Sequence, residues 1–396
     1  GDVYDRQFVL VVGSGNAETV LDLESDLVLG QKHNVKRAEL YGGSGVNYAL
    51  RLTRYDGTRV LPILSVGADA IGRSIRDALL DATAAMIDRA RDEGSRIDVF
   101  DFIASTDFFC HGLTTPQSTV VTVNDLRTIF RESIRGAEHF GAFVRRRLDE
   151  VAVIEAGPAA ICAVMIGHVY ADQPGLSPGD EGRITHDVVA RYRDRAILFA
   201  NFGESQYCLG SSFWEETLPA LTVFQLALEE AREFFCQCAL NGRGRAGAPS
   251  LLEMLHWFQE RQITAVITLD RFGAVATYEG QEGVLFAPAF ELDHFEDSIG
   301  AGDAFGAGLV HTLCKEAAAR KEKGVSFEAF QEALKRARLW AAHACTTRGA
   351  TGHCPSEREL GAFEAHLELS GQDPEGIDCR DLAAWEGILR ILDKAY

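Results

Sequence analysis

Asp297-Ser298-Ile299-Gly300-Ala301-Gly302-Asp303-Ala304-Phe305 ends a loop and opens a helix whose apolar face is Phe305, Leu309, Val310 and Leu313. Two glycines and an alanine leave backbone N–H groups uncovered at the positive end of that helix, an arrangement that binds an anion such as a transferring phosphoryl group. Asp303 stands in the first turn, beside the same anion. A carboxylate there is repelled by bound phosphate unless it has a task, and accepting a proton from an attacking hydroxyl is the obvious one. The alternative is a glycine-rich turn with Asp303 stabilising a helix N-terminus. Gly300-Ala301-Gly302 fails the dinucleotide fingerprint, because Phe305 occupies its third glycine. The chain has no Gly-Lys dipeptide and hence no P-loop, and it has neither a Gly-x-Ser-x-Gly elbow nor a His-Glu-x-x-His helix.

Outward from this segment, short apolar runs alternate with helical spacing. Phe8–Val12, Val60–Val66, Val151–Ile154, Ile161–Ile166, Ala196–Ala200 and Ala265–Leu269 read as strands. Val46, Ala49, Leu50, Leu52 and Tyr55 predict a helix stopped by Asp56-Gly57, and Ile75, Leu79, Ala82, Met86 and Ala90 predict another. This alternation favours a parallel sheet covered on both faces. Residues 24–41 suggest a half-exposed strand pair, and Val120–Val123 with Leu126–Phe130 a hairpin turning at Asn124-Asp125. Asn241–Pro249 reads as a flexible surface loop, and Cys236-x-Cys238 as a packed helical stretch.

The 396 residues are 46 % hydrophobic, ample for one large core. With 39 Lys+Arg against 58 Asp+Glu, the net charge is −19, which argues against nucleic-acid or anionic-membrane partners. It does not exclude small phosphorylated ligands held by local amides. Nine scattered cysteines in apolar surroundings predict free thiols in a reducing compartment, and with no secretion signal or bilayer-length apolar run the expected location is cytoplasmic.

The signature Asp297–Asp303 resembles the Asp-Thr-x-Gly-Ala-Gly-Asp motif of ribokinase-like (PfkB) carbohydrate kinases, with Ser298 in place of Thr. Three more segments resemble that family in the expected order. Gly42-Gly43-Ser44-Gly45-Val46-Asn47-Tyr48-Ala49 is similar to its Gly-Gly-x-x-x-Asn-x-Ala element, and Asn201-Phe202-Gly203-Glu204 to its Asn-x-x-Glu motif. Thr268-Leu269-Asp270-Arg271-Phe272-Gly273 is similar to its Thr-Leu-Gly-x-x-Gly turn. The resemblance implies an α/β, ribokinase-like three-layer sandwich, with a mostly parallel central sheet and a small β-sheet lid. It implies a single domain over 1–396, lid strands around 16–45 and 115–131, and extra segments at 74–112, 205–260 and 356–396.

The implied activity is ATP-dependent phosphorylation of a hydroxyl on a sugar or sugar-like molecule. Asp303 is then the general base, and Gly300, Ala301 and Gly302 form the anion hole. Glu18, Gly42, Gly43 and Asn47 hold the acceptor, with Arg127 as a further candidate that reads somewhat better as a solvated strand arginine. Asn201, Thr268, Asp270, Gly273 and His343 line the nucleotide site, and Glu204 with Asn201 holds hydrated Mg²⁺. A monovalent cation and a homodimer through the lid are further expectations of the resemblance. Two departures stand out: Glu18 occupies the place of an acceptor-binding Asp, and Asp270 replaces a glycine near the phosphates, with Arg271 as its candidate counter-ion. A nucleoside kinase of the same fold and a non-catalytic ligand sensor remain alternatives. An NAD-dependent enzyme is disfavoured by the missing fingerprint, and a His343/Cys345/His353/Cys354 zinc cluster by its spacing.

Overall fold

A computed structural model describes residues 7–87, 94–123, 126–157, 160–169, 183–207, 209–239, 249–320 and 324–395. Phe8 to Val12 are all at most 2 % exposed. Five consecutive buried residues on a strand require cover on both faces, and the architecture supplies it. The strand is β1 (Gln7–Ser14), inside a nine-stranded sheet with β4 (Arg59–Ser65) on one side and β7 (Ala160–Ile166) on the other. The sheet continues through β8 (Ile197–Ala200), β9 (Val223–Ala227) and β10 (Ala265–Thr268), all parallel. It then turns antiparallel through β11 (Gly273–Ala276), β12 (Gly283–Pro288) and β13 (Asp378–Asp381).

A second sheet has the order β3-β2-β5-β6, built from β2 (Asn16–Leu23), β3 (Val35–Gly42), β5 (Gln117–Val123) and β6 (Leu126–Arg131). Its strands are polar and half-exposed, and the inter-sheet step is short: only Gly15 separates β1 from β2. The strand pair expected over 24–41 is therefore β2 and β3, with 24–34 connecting them.

Helix α1 (Ser44–Asp56) ends where Asp56-Gly57 stops its periodicity, and Gly57 takes the left-handed cap at φ 77°. The chain continues through α2 (Ala70–Ile87), α3 (Gly94–Ala104), α4 (Phe140–Glu155), α5 (Arg183–Tyr192), α6 (Glu204–Tyr207), α7 (Ser211–Thr217), α8 (Leu228–Phe234) and α9 (Leu251–Glu260). It ends with α10 (Ala301–Arg320), α11 (Phe327–Ala344), α12 (Glu357–Leu369) and α13 (Leu382–Ala395). Helix α10 lies between α1 and α11 and also meets β7 and β8. Ala304, Phe305, Ala307, Leu309, Val310 and Leu313 are buried along it, so the helix that starts at the signature is enclosed by the core.

Two expectations fail. Val151–Ile154 is not a strand but the last part of α4, where the apolar run buries only Val151 and leaves Val153 75 % exposed. Cys236 is exposed rather than packed, in a turn where the helix widens to π geometry over Phe235–Ala239 and buries Phe235 instead. Residues 241–248, Ala90 and the Asn124-Asp125 turn lie outside the described residues. Among the described residues no helix is long and apolar enough to cross a membrane.

Candidate active site

The signature loop is tied down before the helix starts. Asp297 Oδ1 accepts from Ile299 N at 3.0 Å and its Oδ2 from Gly349 N at 3.1 Å. Gly300 sits at φ 74°, and a Cβ there would lie 2.7 Å from Ala350 Cα and Cβ. Only glycine suits both the dihedral and the contact. Of the amides expected in the anion hole, Ala301 N donates to Ser298 O at 3.2 Å, whereas Gly302 N has no backbone acceptor among the described residues. Asp303 N is in the same condition. A Cβ on Gly302 would meet nothing nearer than Gln225 Nε2 at 3.9 Å, so the cradle is open at that residue.

Asp303 turns inward. Asn47 Nδ2, from the first turns of α1, donates to Asp303 Oδ2 at 2.6 Å. Burial holds the Asp303 carboxyl above its ordinary value; the Asn47 amide and the His168 and Arg51 charges pull it back, while Glu230 adds to the rise. Tyr48, fully buried beside Phe199, has a hydroxyl with no hydrogen-bond partner and is pushed well up by burial and then by Asp303. Gln225, on β9, donates from Nε2 to Gly302 O at 2.9 Å and so fixes the first turn of α10 to the sheet.

The amino-terminal motif divides into two roles. Gly43, at φ 90°, would place a Cβ 2.7 Å from Ser14 O, so its missing side chain serves backbone packing between α1 and β1. Gly42 adjoins Asn16 and Glu18, whose Cδ would lie 3.6 Å from a Gly42 Cβ. Glu18 is half-buried on β2, opposite Leu40 of β3. Asn47, expected on the acceptor, gives its donor to Asp303 and keeps a buried Oδ1 without a partner. Arg127 lies on β6 opposite Thr122; its side chain, like that of Glu204, lies outside the described residues.

Among the residues expected at the nucleotide, Asn201 Nδ2 donates to Gln225 O at 2.9 Å and to Glu230 Oε2 at 3.1 Å. That leaves the amide oxygen as its remaining hydrogen-bonding atom. Thr268 closes β10 and is half-buried, and Gly273 is held by close backbone, its Cβ position 2.1 Å from Ala287 O. Asp270 is exposed at φ 50°, a left-handed dihedral that suits the glycine it replaces and that Asp tolerates better than most. It points outward, and Arg271 lies over the Phe272 ring at 5.0 Å instead of pairing with it. Cys345 O accepts from Glu296 N at 2.8 Å, which joins the end of α11 to the signature loop. His343 is buried with Nδ1 unpartnered, and burial, then His353 and Arg51, lower its pKa to about 4.

Five residues around Asp303 and Gly302 escaped the sequence reading: Tyr48, Arg51, His168, Gln225 and Glu230. Arg51 is four residues after Asn47, on the same helical face, and that spacing was the only signal available. His168 follows β7 with its ring against Gly203, and Glu230 caps α8 through Ala227 N at 2.9 Å; neither placement has a local sequence mark.

A mostly parallel α/β sheet covered by helices, with a second small sheet beside it, is the architecture of the ribokinase-like fold. Residues 212–357 match the family described as pfkB family carbohydrate kinase. No curated protein matches the sequence. Ribokinase from Giardia lamblia is similar in structure at TM-score 0.63 and 14 % identity, over 91 % of this chain and 98 % of that one. Ribokinase from Thermotoga maritima gives 0.59 at 15 %, over 90 % and 99 %. Burkholderia thailandensis nucleoside kinase in complex with inosine gives 0.57 at 16 %, over 91 % and 98 %. The resemblance read from the motifs is thus borne out, by the family match over the segment holding Thr268, the signature and His343, and by the fold over the rest.

Proposed function

We propose that this chain is an ATP-dependent phosphotransferase acting on a hydroxyl of a sugar or sugar-like small molecule. The observation that carries the reading is the 2.6 Å bond from Asn47 to Asp303 beside the open amide of Gly302. It orients a half-buried carboxylate, whose proton affinity desolvation has raised, at the edge of an anion cradle. A base whose pKa is moved toward the working pH accepts a proton more effectively.

The chemistry then follows from these groups. An Asp303 carboxylate oxygen takes the proton of the acceptor hydroxyl. The acceptor oxygen bonds to the γ-phosphorus as the bond to the β–γ bridging oxygen breaks, giving a phosphate ester and ADP. The amides of Gly302 and Asp303 and the α10 dipole stabilise the charge on the transferring oxygens. Phosphate fits the cradle at Gly302 and Asp303, whose amides lack backbone acceptors among the described residues, and a Cβ on Gly302 would meet nothing nearer than 3.9 Å. Mg²⁺, which takes oxygen donors and retains water, fits the remaining amide oxygen of Asn201, and when bound it would neutralise charge on the phosphate chain.

Asn16 Oδ1 and Asn47 Oδ1 are buried carbonyl oxygens without partners, and a polyhydroxylated acceptor would supply donors to both. Glu18, beside Gly42, would accept from another hydroxyl. The test is ATP consumption against a panel of sugars and nucleosides, for the wild type and Asp303→Asn. The variant is expected to lose at least roughly a hundredfold in turnover while still binding ADP. Undiminished turnover in the variant overturns the reading, and acceptor binding without any turnover in the wild type favours a sensor.

A further inference from the structure

Among the described residues three arginines are almost wholly buried, and they are not alike. Arg147 is 0 % exposed, pairs with Glu150, donates to Phe102 O and lies over the Phe102 ring at 3.5 Å. Arg338, 5 % exposed, donates to Gly376 O and Asp373 O and lies over Phe290 at 4.2 Å. Arg51 is 1 % exposed, and its single hydrogen bond among the described residues runs from Nη2 to Ala350 O at 2.7 Å. Among the described residues its Nε and Nη1 have no partner, and no carboxylate or aromatic ring pairs with it. A buried guanidinium without a counter-charge is costly, so its presence calls for an explanation.

Its position supplies one. Ala350 O, which Arg51 holds, is 3.3 Å from where a Gly300 Cβ would lie, so the guanidinium is two contacts behind the cradle. Asn47, one turn earlier on α1, holds Asp303. The same face of α1 therefore grips the base with one side chain and the wall of the anion hole with the next. The nearby His343 is buried and neutral at ordinary pH, so it offers no balancing negative charge. Asp303 feels the Arg51 charge but is bonded to Asn47 instead.

We propose that Arg51 is a positioning residue whose missing counter-ion is the phosphate chain bound at the Gly300–Asp303 cradle. It holds the Gly349-Ala350 turn against Gly300 and places a fixed positive charge behind the amides. This rests on the phosphotransferase reading. An arriving phosphate compensates a charge that is otherwise unpaired, so phosphate binding and the buried cation favour each other.

The test is calorimetric titration of ADP and of adenosine into the wild type, Arg51→Met and Arg51→Lys. Arg51→Met is expected to weaken ADP binding roughly 10- to 100-fold, with adenosine little changed and Arg51→Lys recovering most of the loss. Equal ADP affinity in folded Arg51→Met overturns the proposal, as does an equal loss for ADP and adenosine, which would mark general damage. Should Arg51→Met not fold, the ¹⁵Nε resonance of Arg51 in the wild type, assigned by its disappearance in Arg51→Lys, decides. It is expected to shift with ADP and not with adenosine, and a resonance unmoved by ADP overturns the proposal. A wild type that binds no ADP removes the phosphotransferase reading as well; ADP bound equally by wild type and Arg51→Met removes this inference alone.

Discussion

Replacing Gly302 by alanine separates stability from function at the cradle. The added Cβ would lie 3.9 Å from Gln225 Nε2 and meet nothing else, so the folded state accommodates it without clash. Gly302 lies in the first turn of α10 and lacks the positive φ of Gly300, so alanine gains helix propensity worth at most about 1 kcal/mol. In a chain of this size that is a rise of no more than about 2 °C in Tm. A helical Cβ tilts toward the helix N-terminus, so the same methyl would crowd an anion held at this amide, which has no backbone acceptor among the described residues. Loss of one preorganised donor to a developing oxyanion costs on the order of 10²–10³ in kcat. Gly302→Ala is therefore expected to melt at or slightly above the wild-type temperature and to be nearly inactive. Thermal denaturation and ATP turnover, with whichever acceptor the panel identifies, measure the two quantities. Wild-type turnover in a well-folded Gly302→Ala would refute the cradle, and a fall of several degrees in Tm would refute the open geometry from which the magnitude was worked.

Gly300→Ala should behave in the opposite way: the left-handed dihedral and the 2.7 Å approach to Ala350 together cost about 2–5 kcal/mol, read by urea denaturation. Asp303, raised by burial, contributes stability that is full below its ordinary value of 3.8 and falls as pH rises through its folded value. Asp303→Asn should therefore gain on the wild type as pH is raised, in denaturation curves taken from pH 4 upward. Asp56 has the reverse sign: burial raises it, but His311 at 2.6 Å, Thr58 and Lys315 outweigh that and bring it from 3.8 to about 2. Its contribution, about 2 kcal/mol above pH 4, is lost as pH falls through about 2, so Asp56→Asn should be destabilised at pH 7 and the gap should close in acid.

The fold was legible where a buried strand is also a continuous apolar run, as in Phe8–Val12 and Ile161–Ile166, since cover on both faces leaves no polar alternation to confuse the period. It was misread at Val151–Ile154, where four apolar residues end an amphipathic helix whose earlier turns carry the deciding burial. The site was legible where glycine and a carboxylate must sit at fixed steps along one segment. It was not legible at Arg51, Gln225, Glu230 and His168, which reach Asp303 or its helix from α1, β9, α8 and the end of β7.

By itself the order of residues determined the alternating strands and helices, the bare start of α10 and the pairing of Gly300 and Gly302 with Asp303, because these depend on neighbours along the chain. Tertiary structure alone decided which glycine is open and which is packed, that Asn47 holds Asp303, that Asp270 points away, and that Arg51 is buried without a counter-charge. Each of these is set by atoms far apart in sequence, whose separation only the packed sheet and helices determine.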